Sequence, residues 1–207
     1  MAPISKGAAE LARVRMCVRQ RIANRSSYPL GPVDDPSFPV AIHEAGHAMA
    51  AWLEGSAIDS VKISETERGG VSGRMRLHNA HALTCAILMG GMAAEITVLG
   101  YAEKECSSTD LYQARDILRS TCSDDRLIEA RLERELNQTI ALLKTHRGPL
   151  LALTGEIIHK RFLTGGDVSR IITKALAGRS LRASGGVQHR KITCPPGQGA
   201  RLLEGSR

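Results

Sequence analysis

The residues of this 207-residue chain best suited to chemistry are His43, Glu44 and His47, in the run FPVAIHEAGHAMAAWLEG from Phe38 to Gly55. Side chains four apart on a helix share one face, so the two imidazoles present themselves to a single point. That point suits a zinc ion at roughly 2.0 to 2.1 Å, with room left for a third protein ligand and a water in an open tetrahedral site. Glu44 falls beside that water. A carboxylate there takes the proton that the metal loosens by lowering the pKa of water towards about 7. This is the H-E-x-x-H arrangement of zinc-dependent peptide hydrolysis. The third ligand has to come from further along the chain, and spacing alone does not choose it.

The element that positions these residues is a helix. Pro39 fits its first turn, Asp35 or Ser37 can cap its amides, and Gly55 stands where a left-handed C-terminal cap belongs. Ala41, Ala45, Gly46, Ala48, Ala50 and Ala51 keep it thin, so neighbouring helices can bring ligands close. Downstream, Ala57 to Ile63 and Val71 to Leu77 read as two strands, with Ser64 to Gly70 turning between them. The second alternates Val71, Gly73, Met75 and Leu77 against Ser72, Arg74 and Arg76, and is expected to be an edge strand along the site, with Val71, Gly73 and Met75 binding substrate.

A helix from Asn79 to Leu99 is expected next, closed by Gly100. Gly90 and Gly91 in its middle cost of order 1 kcal/mol each, which implies a close backbone approach to the metal helix. Ser107 and Ser108 are capping candidates for a third helix through Ser120, and Asp110 completes a capping box with Ser107. Further helices are expected over Asp124 to Lys144, Leu150 to His159 after a break at Gly148 and Pro149, and from an Asp167 cap to Ala177.

Composition agrees with a mainly helical fold carrying a small two-stranded β element beside the histidine helix. Aromatics are few, so Leu, Ile, Val, Ala and Met must build the core. The organisation expected is a basic N-terminal segment and Pro-rich connector over 1–35, with a short helix from Ala8 to Arg25, one domain over 36–177, and a disordered basic tail over 178–207. The formal charge is +7, with much of the excess at the two ends, and no aromatic platform accompanies it. That argues against nucleic acid as the partner. Five cysteines without a C-x-x-C pair read as reduced thiols of a cytoplasmic protein. No secretory h-region is apparent, because Arg13, Arg15, Arg19 and Arg21 interrupt the N-terminus. Ala82 to Leu99, which contains Glu95 and two glycines, reads as a buried helix, so no transmembrane segment is expected.

HEAGHA (His43 to Ala48), the strand pair with RGG (Arg68 to Gly70), MGGMAAE (Met89 to Glu95) and SSTDLYQARDI (Ser107 to Ile117) occur in that order. In this, residues 38 to 177 resemble the peptidase domain of FtsH-type ATP-dependent zinc proteases. The resemblance implies zinc held by His43, His47 and Asp110, Glu44 as general base, and Glu95 orienting a ligand histidine. Glu95 is also a rival for the third ligand, since a helix-borne glutamate has that role in other zinc peptidases. The implied activity is hydrolysis of unfolded or flexible polypeptides. Met92 stands where the family usually has arginine, and Ile96 where it has a second glutamate. No G-x-x-x-x-G-K-[ST] occurs in these residues, so any ATP dependence implies a separate ATPase partner; a homo-oligomer is compatible with the resemblance. The alternative is a zinc-containing interaction module without proteolysis. Glu44 argues against it, because structural zinc usually has four protein ligands and needs no base.

Overall fold

The computed structural model describes residues 35, 37–102 and 104–184. The expected basic helix at Ala8 to Arg25 and the tail beyond 184 lie outside them. The elements in chain order are α1 (Ser37–Leu53), β1 (Ile58–Glu65), β2 (Val71–Leu77), α2 (Cys85–Val98), α3 (Lys104–Arg119), α4 (Asp125–Thr145), α5 (Arg147–Lys160), β3 (Phe162–Thr164) and α6 (Gly165–Ser184). The fold is mainly helical. No helix among the described residues is long and apolar enough to cross a membrane.

α1 is the centre. Asp35 Oδ1 accepts the Ser37 N–H at 2.8 Å, and at the far end Gly55 takes φ 75° while Ser56 N–H reaches the Ala51 carbonyl at 2.9 Å. These are the start and stop that the sequence signals. Ala41, Ile42, Ala45, Ala48, Met49 and Ala51 are buried on every side of the helix, so it must be enclosed by other elements. α2, α5 and the sheet enclose it, adding Val61, Ile63, Ala93, Ala94, Leu153 and Ile157 to one core. A second cluster of Leu88, Met89, Ala114, Ile128 and Leu132 joins α2, α3 and α4.

Gly46 and Gly90 allow α1 and α2 to touch backbone to backbone. A Cβ on Gly46 would run into the Gly90 carbonyl oxygen, and one on Gly90 would lie 2.6 Å from the Gly46 carbonyl oxygen. This is the close approach that the mid-helix glycines implied.

The sheet has three strands in the order β2-β1-β3, all antiparallel, where two were expected. The additional strand is three residues long, too short to show a period, and only its central Leu163 is buried. β2 is an edge strand, as expected, paired with β1 in the register Val61↔Met75, Lys62↔Arg74 and Ile63↔Gly73. The hairpin closes through Thr66 N–H to the Gly70 carbonyl at 2.8 Å, with Gly69 at φ 76°.

Boundaries of four helices differ from the expectation, two of them through a side-chain cap. Asn79 Oδ1 takes the His81 N–H and starts a single 3-10 turn over Ala80–Ala82, after which Thr84 caps α2 by accepting the Ile87 N–H. Asn79 to Leu99 is therefore two pieces. α3 begins at Lys104, so Ser107 and Ser108 lie inside it and Ser107 is not its cap. α5 begins at Arg147, with Gly148 and Pro149 in its first turn, where proline's missing N–H has no intrahelical partner to lose. The break falls instead at His146. Thr164 and Asp167 form a reciprocal capping box, with Thr164 N–H donating to Asp167 Oδ2 at 3.1 Å and Asp167 N–H to Thr164 Oγ at 3.2 Å. Asp167 is thus three residues past the cap, and α6 runs on through Gly178 to Ser184 rather than ending at Ala177.

Candidate metal centre

One turn of α1 brings His43 and His47 side by side, their rings 4.6 Å apart. His47 Nδ1 lies 2.7 Å from the Ile87 carbonyl on α2, and His43 Nδ1 lies 2.6 Å from Glu95 Oε1 on the same helix. A carbonyl and an ionised carboxylate only accept, so both Nδ1 atoms carry a proton and the Nε2 atoms are the ones left to take up a further proton or a metal ion. The two Nε2 atoms stand 2.9 Å apart. Asp110 Oδ2, from the second turn of α3, is 3.1 Å from the first and 3.3 Å from the second.

Unprotonated, these three atoms are all acceptors and would repel, so the triangle calls for a proton or a metal ion among them. Ligands about 2.0 to 2.1 Å from a tetrahedral centre are about 3.3 Å apart, so this triangle has the dimensions of three corners of a zinc site. His43, His47 and Asp110 are also the group among the described residues that could hold a metal ion. Glu95 sits on the far side of the His43 ring, where it fixes the tautomer.

Electrostatics point the same way. Burial opposes a charge on His43, but Asp110 and Glu95 outweigh it and push its pKa up to about 10. Burial likewise acts against the Asp110 carboxylate, yet the two histidines bring it down to about 2. The pair holds a proton strongly at the position where a divalent cation would replace it.

Glu44 is buried against β2. A Cβ on Gly73 would collide with its Cγ and lie 2.5 Å from Oε1, so glycine makes the space the carboxylate occupies. The Met75 N–H donates to that carboxylate, while Oε2 is buried without a hydrogen-bond partner among the described residues. Burial raises the Glu44 pKa, with His47 and His43 opposing. The group is held in place, desolvated and free on one oxygen.

With this geometry in view, comparison with known proteins is informative. The chain is similar to "ATP-dependent zinc metalloprotease FtsH 2" of Symbiobacterium thermophilum. Identity is 27% over 175 residues, covering 65% of this chain and 30% of the relative. The chain thus matches less than a third of the length of that protease. No family model matches.

A cavity of about 430 Å³ opens beside His43, Glu44, His47 and Asp110, with Gly73, Arg74 and Met75 of β2 on one wall and Leu83, Ile87 and Leu88 on another. Val71 does not line it and packs against the main core instead. Three contributions were not assigned to the site from the sequence: the Ile87 carbonyl, the Met75 N–H and the packing of the His43 ring on Gly91. The first two are backbone groups and leave no mark on the sequence. Gly91 did leave one, as half of a mid-helix glycine pair. A Cβ there would lie 2.5 Å from His43 Cε1 and 2.6 Å from Nε2, so the His43 ring rests directly on the α2 backbone.

Proposed function

We propose that the chain is a zinc metalloendopeptidase that hydrolyses peptide bonds of unfolded or flexible polypeptides. The observation that carries this reading is the triangle of His43 Nε2, His47 Nε2 and Asp110 Oδ2 with the Glu44 side chain beside it in one cavity. In this reading His43, His47 and Asp110 hold zinc, which when bound supplies Lewis acidity towards a water and a peptide carbonyl. Glu44 takes the water's proton and delivers it to the leaving amine; its raised pKa makes it a better base than an exposed carboxylate. Glu95 keeps His43 Nδ1 protonated, so that Nε2 stays available.

The substrate lies along the outer edge of β2 as an added strand. Met75 turns its N–H away from β1 to reach Glu44, so Gly73 and Val71, in the same phase, turn their main-chain groups to that edge. Any ATP-driven unfolding of substrate comes from a module outside these 207 residues, such as a separate ATPase partner.

The test is degradation of casein by zinc-loaded protein, with chelator and with Glu44→Gln as controls. Cleavage should require metal, and Glu44→Gln should lower it by about 10² to 10⁴ while zinc stays bound. Zinc binding without cleavage of any unfolded protein or peptide, with or without a candidate ATPase, would leave the interaction module as the better reading.

A further inference from the structure

The outer face of the sheet carries Arg74 and Arg76 on β2 and Lys62 on β1, all exposed. Lys62 is the direct cross-strand partner of Arg74. Like charges in that position destabilise a strand pair. No carboxylate among the described residues forms an ion pair with any of the three; the ion pairs present lie on helices or at the metal centre. Charged side chains do protect an edge strand against pairing with another chain. Protection alone would not require these charges beside the cavity, yet Arg74 lies on the stretch of β2, between Gly73 and Met75, that forms its wall with Glu44.

We propose that this basic face selects polypeptides with acidic side chains at alternate positions beside the bond presented to the metal centre. The proposal rests on the peptidase reading and names the substrate class for that same cavity. A strand added along the outer edge of β2 turns every second side chain to the face of Arg74 and Arg76. Acidic residues there would sit across from the two guanidiniums and offset the Arg74–Lys62 repulsion. An opposite-charge cross-strand pair is worth up to about fivefold in affinity, so two give about tenfold when not fully additive.

The experiment uses the zinc-loaded full chain carrying Glu44→Gln, so that binding is read without turnover. Fluorescence anisotropy compares a labelled peptide having Glu at two alternate positions with its Gln isostere. The Glu peptide should bind about tenfold more tightly at about 50 mM salt, and the ratio should shrink as salt rises. In Arg74→Gln/Arg76→Gln the ratio should fall to near one. Equal binding of the two peptides, no measurable binding of the Glu peptide, or a preference that survives the double substitution overturns the proposal. So does a single-stranded oligonucleotide that displaces the Glu peptide more strongly than unlabelled peptide does, which would assign the face to nucleic acid. Casein degradation by the unsubstituted chain is scored separately, so cleavage with a peptide ratio of one overturns the selectivity alone, and absent cleavage of any unfolded protein or peptide, with or without a candidate ATPase, overturns the peptidase reading.

Discussion

Gly91→Ala should abolish tight zinc binding although it adds one methyl group to a residue that is not a ligand. The added Cβ would lie 2.5 Å from His43 Cε1, 2.6 Å from Nε2 and 2.7 Å from Nδ1, whereas ordinary contact begins near 3.4 Å. The ring must therefore retreat by roughly 0.9 Å, against a tolerance of about 0.2 Å in metal-ligand distances. Retreat also strains the 2.6 Å bond to Glu95, and the alternative, moving α2 away, would open the close Gly46–Gly90 packing of the two helices. Loss of an orienting partner typically costs 10- to 100-fold in metal affinity, and a displaced ligand should cost at least the upper end of that range. Fold stability should fall by only about 1 to 3 kcal/mol, the usual cost of overpacking. The assay is zinc competition against a chromophoric chelator, with circular dichroism and thermal melting to establish the fold. A folded Gly91→Ala protein that binds zinc with unaltered affinity would show that His43 is not held against α2 in the way argued.

Gly73→Ala should act on the other function, because its Cβ meets the flexible Glu44 side chain rather than a ligand: zinc retained, hydrolysis reduced by at least about tenfold, read by metal analysis beside a peptide assay. Asp110→Ala should lose metal, whereas Glu95→Ala should keep it at 10- to 100-fold weaker affinity; the opposite pattern in metal analysis would make Glu95 the ligand. Zinc binding between pH 7 and 9 should release about one proton, since His43 with a pKa of about 10 is still protonated in the metal-free protein; calorimetry in buffers of different ionisation enthalpy reads this directly. The release should vanish above pH 10. The sign is opposite for the metal-free fold: a folded-state pKa raised above the usual 6.5 gives stability that is complete below 6.5 and lost as pH rises through 10, so chelated protein should melt lower at pH 9.5 than at pH 6.5.

What could be read from the sequence follows from how far each signal acts along the chain. α1 was legible from end to end because its caps, its alanines and its histidines all lie within about twenty residues and agree. β2 was legible from strict alternation over seven residues, and its place at the sheet edge beside the site is what the structure has. β3 was not, since three residues carry no period and pairing with β1, about a hundred positions earlier, determines it. Two of the helix limits failed where two capping chemistries compete locally. Thr84 and Asn79 can each start a helix, and Thr164 and Asp167 exchange roles within one capping box.

The site divides in the same way. The pair His43 and His47 is a local fact of helical spacing, whereas Asp110 reaches them across 67 positions and Glu95 across 52, distances at which spacing carries no geometric information. Resemblance to a protease family was the source for Asp110, and the 3.1 and 3.3 Å separations now give that choice a physical argument independent of the family. Most telling are the glycines. Gly46, Gly73, Gly90 and Gly91 have no side chain to offer, yet they set the helix crossing, the seat of Glu44 and the seat of the His43 ring. A residue that acts by leaving space can be recognised as costly where it stands, as Gly90 and Gly91 were, but what fills the space is a property of the partner element and appears only once the chain has folded.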